Sequence, residues 1–478
     1  MNHKSLCIAE WQSFGVEDIY NILKEDRRKQ SSEVLGQNTQ ANTNLQNQAQ
    51  KIFEELVEFA HIEGNHIYLK FAGKKLKAQR YVGLIQTKSG FCLEILPKTF
   101  HTAKESEGFV SKDIEDKQNS IKSAKTLLLK MLQSLKDSPF KQSHFAHLKL
   151  AKMPLLEIFI LMFLEELEKL VKKGLKSDYI VREENRNFLK GKLLFNENLK
   201  LNFAHKEKFF TNNDEFSANI SPNRLIKATL ELLSKQRLSA TISTKLTQMR
   251  FIFADISPSQ HIAKDFSQCR KSRYLKGYYP LLQWCEIFLK RKTFTSYQGN
   301  SQAFALLFDM NKLFESFVVS EMKKWLCGMK LSYENEAFME QIFGENRDSY
   351  LKTQEKSKYL ATMGEDNKNR FQLNPDIVGY KKQQIQAKQP LFIADTKWKI
   401  LSKEQQNYGI SQSDLYQIFA YLAKYQCKRG FLIYPKVEYC KDTLKNLELT
   451  FKPKILNKDN KEANKTKLTL CFFNCSLL

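Results

Sequence analysis

The residues best placed to do chemistry lie in Asn374-Pro375-Asp376-Ile377-Val378-Gly379-Tyr380 and Leu391-Phe392-Ile393-Ala394-Asp395-Thr396-Lys397-Trp398-Lys399. Val, Ile, Phe and Trp enrichment makes both runs strands, and the polar stretch from Lys381 to Gln389 between them reads as their return. Alternate side chains of a strand share a face, so Asp395 and Lys397 point one way, Thr396 points the other, and a paired Asp376 can face the first two. Two carboxylates about 5 Å apart repel each other unless a hard cation lies between them. Such a cation acidifies a bound water and offsets charge building on a phosphate, while a lysine holds the nucleophile or a phosphoryl oxygen. The chemistry these residues suit is phosphodiester hydrolysis. A D-x-K tripeptide alone is common, and a solvated hairpin with a surface ion pair would read the same way.

The surrounding elements narrow the choice. Upstream, Leu313, Phe314, Phe317 and Val318 make the apolar stripe of a helix flanked by Glu315, with Asp309 as its cap. Downstream, Ser411 or Ser413 caps a helix through Leu415, Ile418, Phe419 and Leu422, expected to end at Lys428-Arg429-Gly430. Gln417 and Tyr421 share one face of it, and Phe431-Leu432-Ile433-Tyr434-Pro435 follows as a buried strand. The order helix, strand, strand, helix, strand, with Pro375-Asp376 and Asp395-Thr396-Lys397 in place, resembles the PD-(D/E)xK nuclease core. The Gln417 and Tyr421 pair resembles the extra motif of its RecB-like branch.

Composition sets bounds on partners and compartment. A chain of 478 residues with 42% hydrophobic content has core enough for two or three domains, and a net charge of +24 points to a polyanionic partner, with ribosomal, membrane-surface or merely lysine-rich readings left open by charge alone. Nine cysteines without a CxxC suggest a reducing, cytoplasmic setting. All eight histidines lie at or before His261, so the acidic strands have no imidazole close in sequence, and Mg²⁺ or Mn²⁺ on carboxylates is favoured over zinc. The first residues lack the apolar core of a signal peptide, and the longest apolar run near the middle, Ile158 to Leu164, is too short to span a membrane.

The fold class expected is α+β and multidomain, with an N-terminal β-rich partner-docking domain over residues 1–125 and a mainly helical region over 126–295. A C-terminal α/β PD-(D/E)xK restriction-endonuclease-like domain is expected over 296–478. The Asn/Gln-rich stretch from Gln37 to Gln50 reads as a loop, and the polar residues 101–124 as a linker. Lys70, Lys74, Lys75, Lys77 and Arg80 form a basic strand and turn. Cations interleaved with aromatics from Arg186 to Lys227 suit a surface that tracks a nucleic-acid backbone.

Several blocks carry a further likeness. Leu93-Glu94-Ile95-Leu96-Pro97-Lys98, Lys190-Gly191-Lys192-Leu193, His205-Lys206-Glu207-Lys208-Phe209, Asp214-Glu215-Phe216, Asn223-Arg224-Leu225-Ile226-Lys227 and Phe308-Asp309-Met310-Asn311-Lys312-Leu313-Phe314-Glu315 follow one another in the order of the McrC family, which the chain resembles. The resemblance implies the nuclease subunit of a modification-dependent McrBC (type IV) restriction system, cutting double-stranded DNA as a Mg²⁺-dependent endonuclease. It implies an McrB-like AAA+ GTPase hexamer as partner, with GTP bound by that partner and its hydrolysis stimulated by this chain, and a second copy of the chain during double-strand cleavage. No GxxxxGK[ST] occurs in the sequence, in keeping with a separate motor. The expected site has Asp376, Asp395, Glu315 and the Thr396 carbonyl on the metal, Lys397 on the water or phosphate, and Gln417 and Tyr421 in support. A free-standing RecB-like repair nuclease and a non-catalytic adaptor between DNA and a motor are the rival readings.

Overall fold

The computed structural model describes residues 5–30, 39–100, 114–135, 139–142, 153–236, 238–270, 273–289, 304–344, 347–363, 368–382, 389–436, 448–451 and 466–475. Near the N-terminus a four-stranded sheet runs in the order Ser5–Ala9, Cys92–Leu96, Tyr81–Gln86, Phe304–Asp309, with the first two parallel and the others antiparallel. Alternation along Cys92–Leu96 divides two cores. Leu93 and Ile95 face the helices Val16–Gln30 and Thr39–His61, while Cys92 and Leu96 face the helical middle of the chain. Gly83 lets the last two strands close up, because a Cβ there would stand 2.0 Å from the Leu306 carbonyl oxygen, at a φ of +137°.

Glu94, on the same strand, is fully buried on the helical side. It pairs with Lys125 of the helix Ile114–Ser134 at 2.7 Å and accepts the Leu155 N–H at 2.7 Å, at the start of the helix Leu155–Lys173. One carboxylate thus ties three elements together and satisfies an otherwise orphaned helix-terminal donor. The helices Ser221–Ser234, Ala240–Ile252 and Tyr279–Leu289 complete this body around Phe159, Trp284 and Phe288. A three-stranded sheet, in the order Asp178–Arg186, Phe209–Ser217, Lys192–Leu193, carries exposed Tyr179 and Phe216, with exposed Phe188 in the adjoining turn.

Two local expectations change. From Thr39 the Asn/Gln-rich stretch is helix, not loop, and is continuous with the helical period through Ile52, Leu56 and Phe59 up to His61, because Ala49 buries on the same face as those three while the amides lie mostly on the wet side. The segment expected as a linker contributes a helix from Ile114 onward, and its residues 101–113 lie outside the described residues, as do 383–388 of the polar return.

The C-terminal sheet has six strands in the order Ser349–Thr353, Ile377–Lys381, Phe392–Thr396, Arg429–Lys436, Thr466–Asn474, Glu448–Phe451. The first three run antiparallel, and Phe392–Thr396, Arg429–Lys436 and Thr466–Asn474 are parallel, with Gln412–Tyr425 as the crossover helix. That helix ends at Gln426, in the left-handed region, and Arg429-Gly430 already belongs to the next strand. Ile393 and Leu432 face a core with Ile418 and Leu422, whereas Ala394, Phe431 and Ile433 face the core shared with Phe314 and Trp398.

The expected fold class is corrected here. Phe304–Asp309 lies within the region assigned to a separate PD-(D/E)xK restriction-endonuclease-like domain, yet it hydrogen-bonds to Tyr81–Gln86 of the N-terminal sheet. One apolar core runs from Leu128 and Phe159 through Phe314 to Phe431. The arrangement is that of an α+β, multidomain chain with continuous packing between its parts.

Candidate active site at the end of the central strands

The antiparallel register pairs Ile377 with Ala394, which sets Asp376 opposite Asp395 one step beyond the last pair. Side chains in that relation on one face lie about 5 Å apart. Asp376 Oδ2 accepts both the backbone N–H and the hydroxyl of Thr396, each at 2.8 Å. Asp395 is 2% exposed, and its Oδ2 meets the Lys397 ammonium at 2.6 Å. Glu315 comes in from the helix Met310–Leu326, whose start Asp309 caps by accepting the Asn311 N–H at 3.0 Å.

Electrostatics follow from this crowding. Burial first, and the Asp376 charge second, push Glu315 and Asp395 each up to about 7. Burial likewise raises Asp376 against the lowering effect of its Thr396 hydrogen bonds. For Lys397, burial favours the neutral amine, but Asp395, Asp414 and Asp376 outweigh it and hold the group charged. The Lys397 ammonium also donates to Gln417 Oε1 at 2.9 Å. Gln417 Nε2 donates to the Tyr421 hydroxyl at 2.8 Å, and that hydroxyl donates to the Asn374 carbonyl at 3.2 Å.

All six expected side chains therefore meet in one place. Thr396 enters it through its N–H and hydroxyl on Asp376. Two participants were not anticipated. Asp414, in the first turn of the crossover helix, holds Lys399 at 2.6 Å and lies 3.8 Å from Lys397; an acidic residue three positions after the Ser411 cap was its only sequence signal. Gln354, just beyond the Ser349–Thr353 strand, donates to Glu315 at 2.7 Å and to Asp376 at 3.3 Å, and nothing in the sequence marked it.

The donor set suits a hard cation. It is all oxygen, and its acids crowd one another enough to raise their proton affinity. Among the described residues no three His, Cys, Asp or Glu side chains already converge as a metal cage. Instead, the Lys397 ammonium and the Gln354 amide face the carboxylate oxygens.

A family model described as McrBC 5-methylcytosine restriction system component matches residues 76–435, most of the chain. The chain belongs to that McrBC family. Among solved structures, this McrBC-family chain resembles one from Thermococcus gammatolerans at 17% identity, with a TM-score of 0.55, over 98% of this chain and 94% of that one. That structure is described as a refined half-complex from a tetradecameric assembly of McrB AAA+ hexamers with bound McrC. A second, the T. gammatolerans McrBC complex, is 18% identical over 67% of this chain and 88% of that one, with a TM-score of 0.39, too low to bear on the fold. No curated protein matches.

Three expectations give way to these findings. The family description names a restriction-system component without choosing a subunit, and the T. gammatolerans assembly is described as McrB AAA+ hexamers with bound McrC, so the McrC assignment is replaced by membership of the McrBC family. For the same reason the enzyme class, a type IV Mg²⁺-dependent endonuclease subunit, is replaced by McrBC restriction system component. The likeness in fold extends to an α+β, multidomain chain and brings nothing positive for a PD-(D/E)xK domain. Among the described residues no helix is long and apolar enough to cross a membrane.

Proposed function

We propose that this restriction-system component hydrolyses DNA phosphodiesters at the site formed by Asp376, Asp395 and Lys397. The observation that carries the reading is the placement of Asp376 opposite Asp395, with the Lys397 ammonium 2.6 Å from the latter. Asp376 and Asp395, with Glu315 and the Thr396 carbonyl, would hold Mg²⁺ or Mn²⁺, which when bound supplies an acidified water and positive charge. Lys397 positions the attacking water or a phosphoryl oxygen. Gln417 fixes the ammonium, and Tyr421 ties Gln417 to the backbone just before Asp376. Thr396 locks the Asp376 carboxylate in orientation through two hydrogen bonds.

The positive charge of +24 supports a polyanionic substrate. The partner of this reading is an McrB-like AAA+ GTPase hexamer that binds GTP itself. A second copy of the chain serves the opposite strand of double-stranded DNA. The AAA+ hexamers named in the description of the T. gammatolerans assembly raise a second reading, in which this chain hydrolyses the nucleotide. That reading needs a phosphate-binding GxxxxGK[ST] loop, which these 478 residues lack.

One experiment separates the readings. Methylated and unmethylated DNA are incubated with the chain and Mg²⁺, with and without a partner GTPase and GTP, and DNA products and GDP are both measured. Partner-dependent DNA products, lost by at least about 100-fold in Asp395→Asn and Lys397→Ala, are expected. Unchanged cleavage by either variant overturns the proposal, and GDP formed by the chain alone establishes the nucleotide reading.

A further inference from the structure

Gln354 sits between two acids that repel each other. Its Nε2 donates to Glu315 Oε1 at 2.7 Å and to Asp376 Oδ1 at 3.3 Å, so one amide group is shared by a carboxylate from a helix and one just ahead of a strand. Three features hold it there. The Ser349–Thr353 strand pairs Thr353 with Ile377, which brings Gln354 opposite Asp376, and the Gln354 N–H donates to the Asp376 carbonyl at 3.2 Å. Asn374 Nδ2 donates to Gln354 Oε1, which orients the amide with its nitrogen toward the acids. The residue has a φ of +52°, a left-handed conformation that a side chain other than glycine adopts at a cost of about 1 kcal/mol.

These contacts form a chain around the site. Starting from Asp395, it runs through Lys397, Gln417 and Tyr421 to the Asn374 carbonyl, then from the Asn374 side chain through Gln354 to Asp376 and Glu315. Lys397 supplies the positive end on one side of the acids and Gln354 the partial positive end on the other. We propose that Gln354 is a positioning residue that holds Glu315 and Asp376 together without a cation, and that its amide must release them for a divalent cation to bind. The inference rests on the reading of the site as cation-dependent. Its physical content is competition: hydrogen bonds to charged acceptors stabilise the cation-free state, so they oppose binding by the same amount.

The test is Mn²⁺ binding by the intact chain, measured by calorimetry, with circular dichroism as a check on folding. Gln354→Ala is expected to bind Mn²⁺ about tenfold more tightly than the parent, which corresponds to about 1.4 kcal/mol. Gln354→Met, which keeps length and bulk without the amide, is expected to do the same and serves if the alanine variant does not fold. An affinity that is unchanged or weakened in both variants overturns the role of Gln354 while leaving the cation site standing. Absence of Mn²⁺ binding by the parent chain, with no difference from Asp395→Asn, overturns both this inference and the reading beneath it.

Discussion

The Glu10 carboxylate, just past the end of the Ser5–Ala9 strand, accepts a hydrogen bond from the indole N–H of Trp398, the residue that follows Lys397, across 388 positions of sequence. The same oxygen accepts the Lys98 N–H at 3.0 Å, and the Lys98 ammonium donates to the Trp398 carbonyl at 2.7 Å. The N-terminal sheet therefore grips the backbone beside the site through a buried acid and a base. Trp398→Phe keeps most of the ring but removes the donor, leaving Glu10 under-satisfied. A loss of about 1–3 kcal/mol in denaturant unfolding is expected. An unchanged midpoint in this variant argues against any energetic role for the contact.

Glu94 and Lys125 form an ion pair with both side chains almost wholly out of solvent. Lys125→Met strands a buried carboxylate, and a destabilisation of about 3–5 kcal/mol is expected. Adding Glu94→Gln to that variant removes the charge and is expected to recover part of the loss. Equal stability of the single and double variants would count against the charge as the cause.

The close approach at Gly83 makes a sharp steric prediction. Gly83→Ala puts a methyl group against the Leu306 backbone and strains a backbone conformation that favours glycine, so a loss of more than about 2 kcal/mol is expected. Near-parental thermal stability of the purified variant would show that the two strands can separate at little cost.

Metal-free stability should depend on pH through the acids of the site. Glu315 and Asp395 hold their protons up to about 7, against ordinary values of 4.5 and 3.8. An acid with a raised folded-state pKa binds more protons folded than unfolded, so its contribution to stability is complete below the ordinary value. It is lost as pH rises from about 4 to about 7. Asp395→Asn is expected to flatten that decline in thermal-midpoint measurements. An identical slope in the parent and the variant would place its source elsewhere in the chain.

Gln417→Ala tests whether Lys397 needs its amide partner. The ammonium keeps Asp395 but loses the 2.9 Å contact that directs it, and a drop of about tenfold in the rate of DNA hydrolysis at saturating DNA is expected, with little change in DNA affinity. A loss confined to DNA affinity would assign Gln417 to binding instead.

Much of the candidate site could be read along the chain because its geometry is local to strands and helix turns. Asp395 and Lys397 are two residues apart across the end of one strand, and Gln417 and Tyr421 are one turn apart on one helix, so periodicity alone brings each pair together. The apolar stripe beside Glu315 and the polar gap before Leu391 mark their elements in the same way. Tertiary structure decided what depends on register and on long-range closure. Gln354 reaches the acids only because Thr353 pairs with Ile377, and Glu10 meets Trp398 only because the two sheets share a core. Phe304–Asp309 runs straight into the helix that Asp309 caps, and only its pairing with Tyr81–Gln86 makes it a strand of the N-terminal sheet. Local pattern specifies which face of an element is buried, but not which distant surface buries it; that choice is made by the packing of the whole chain.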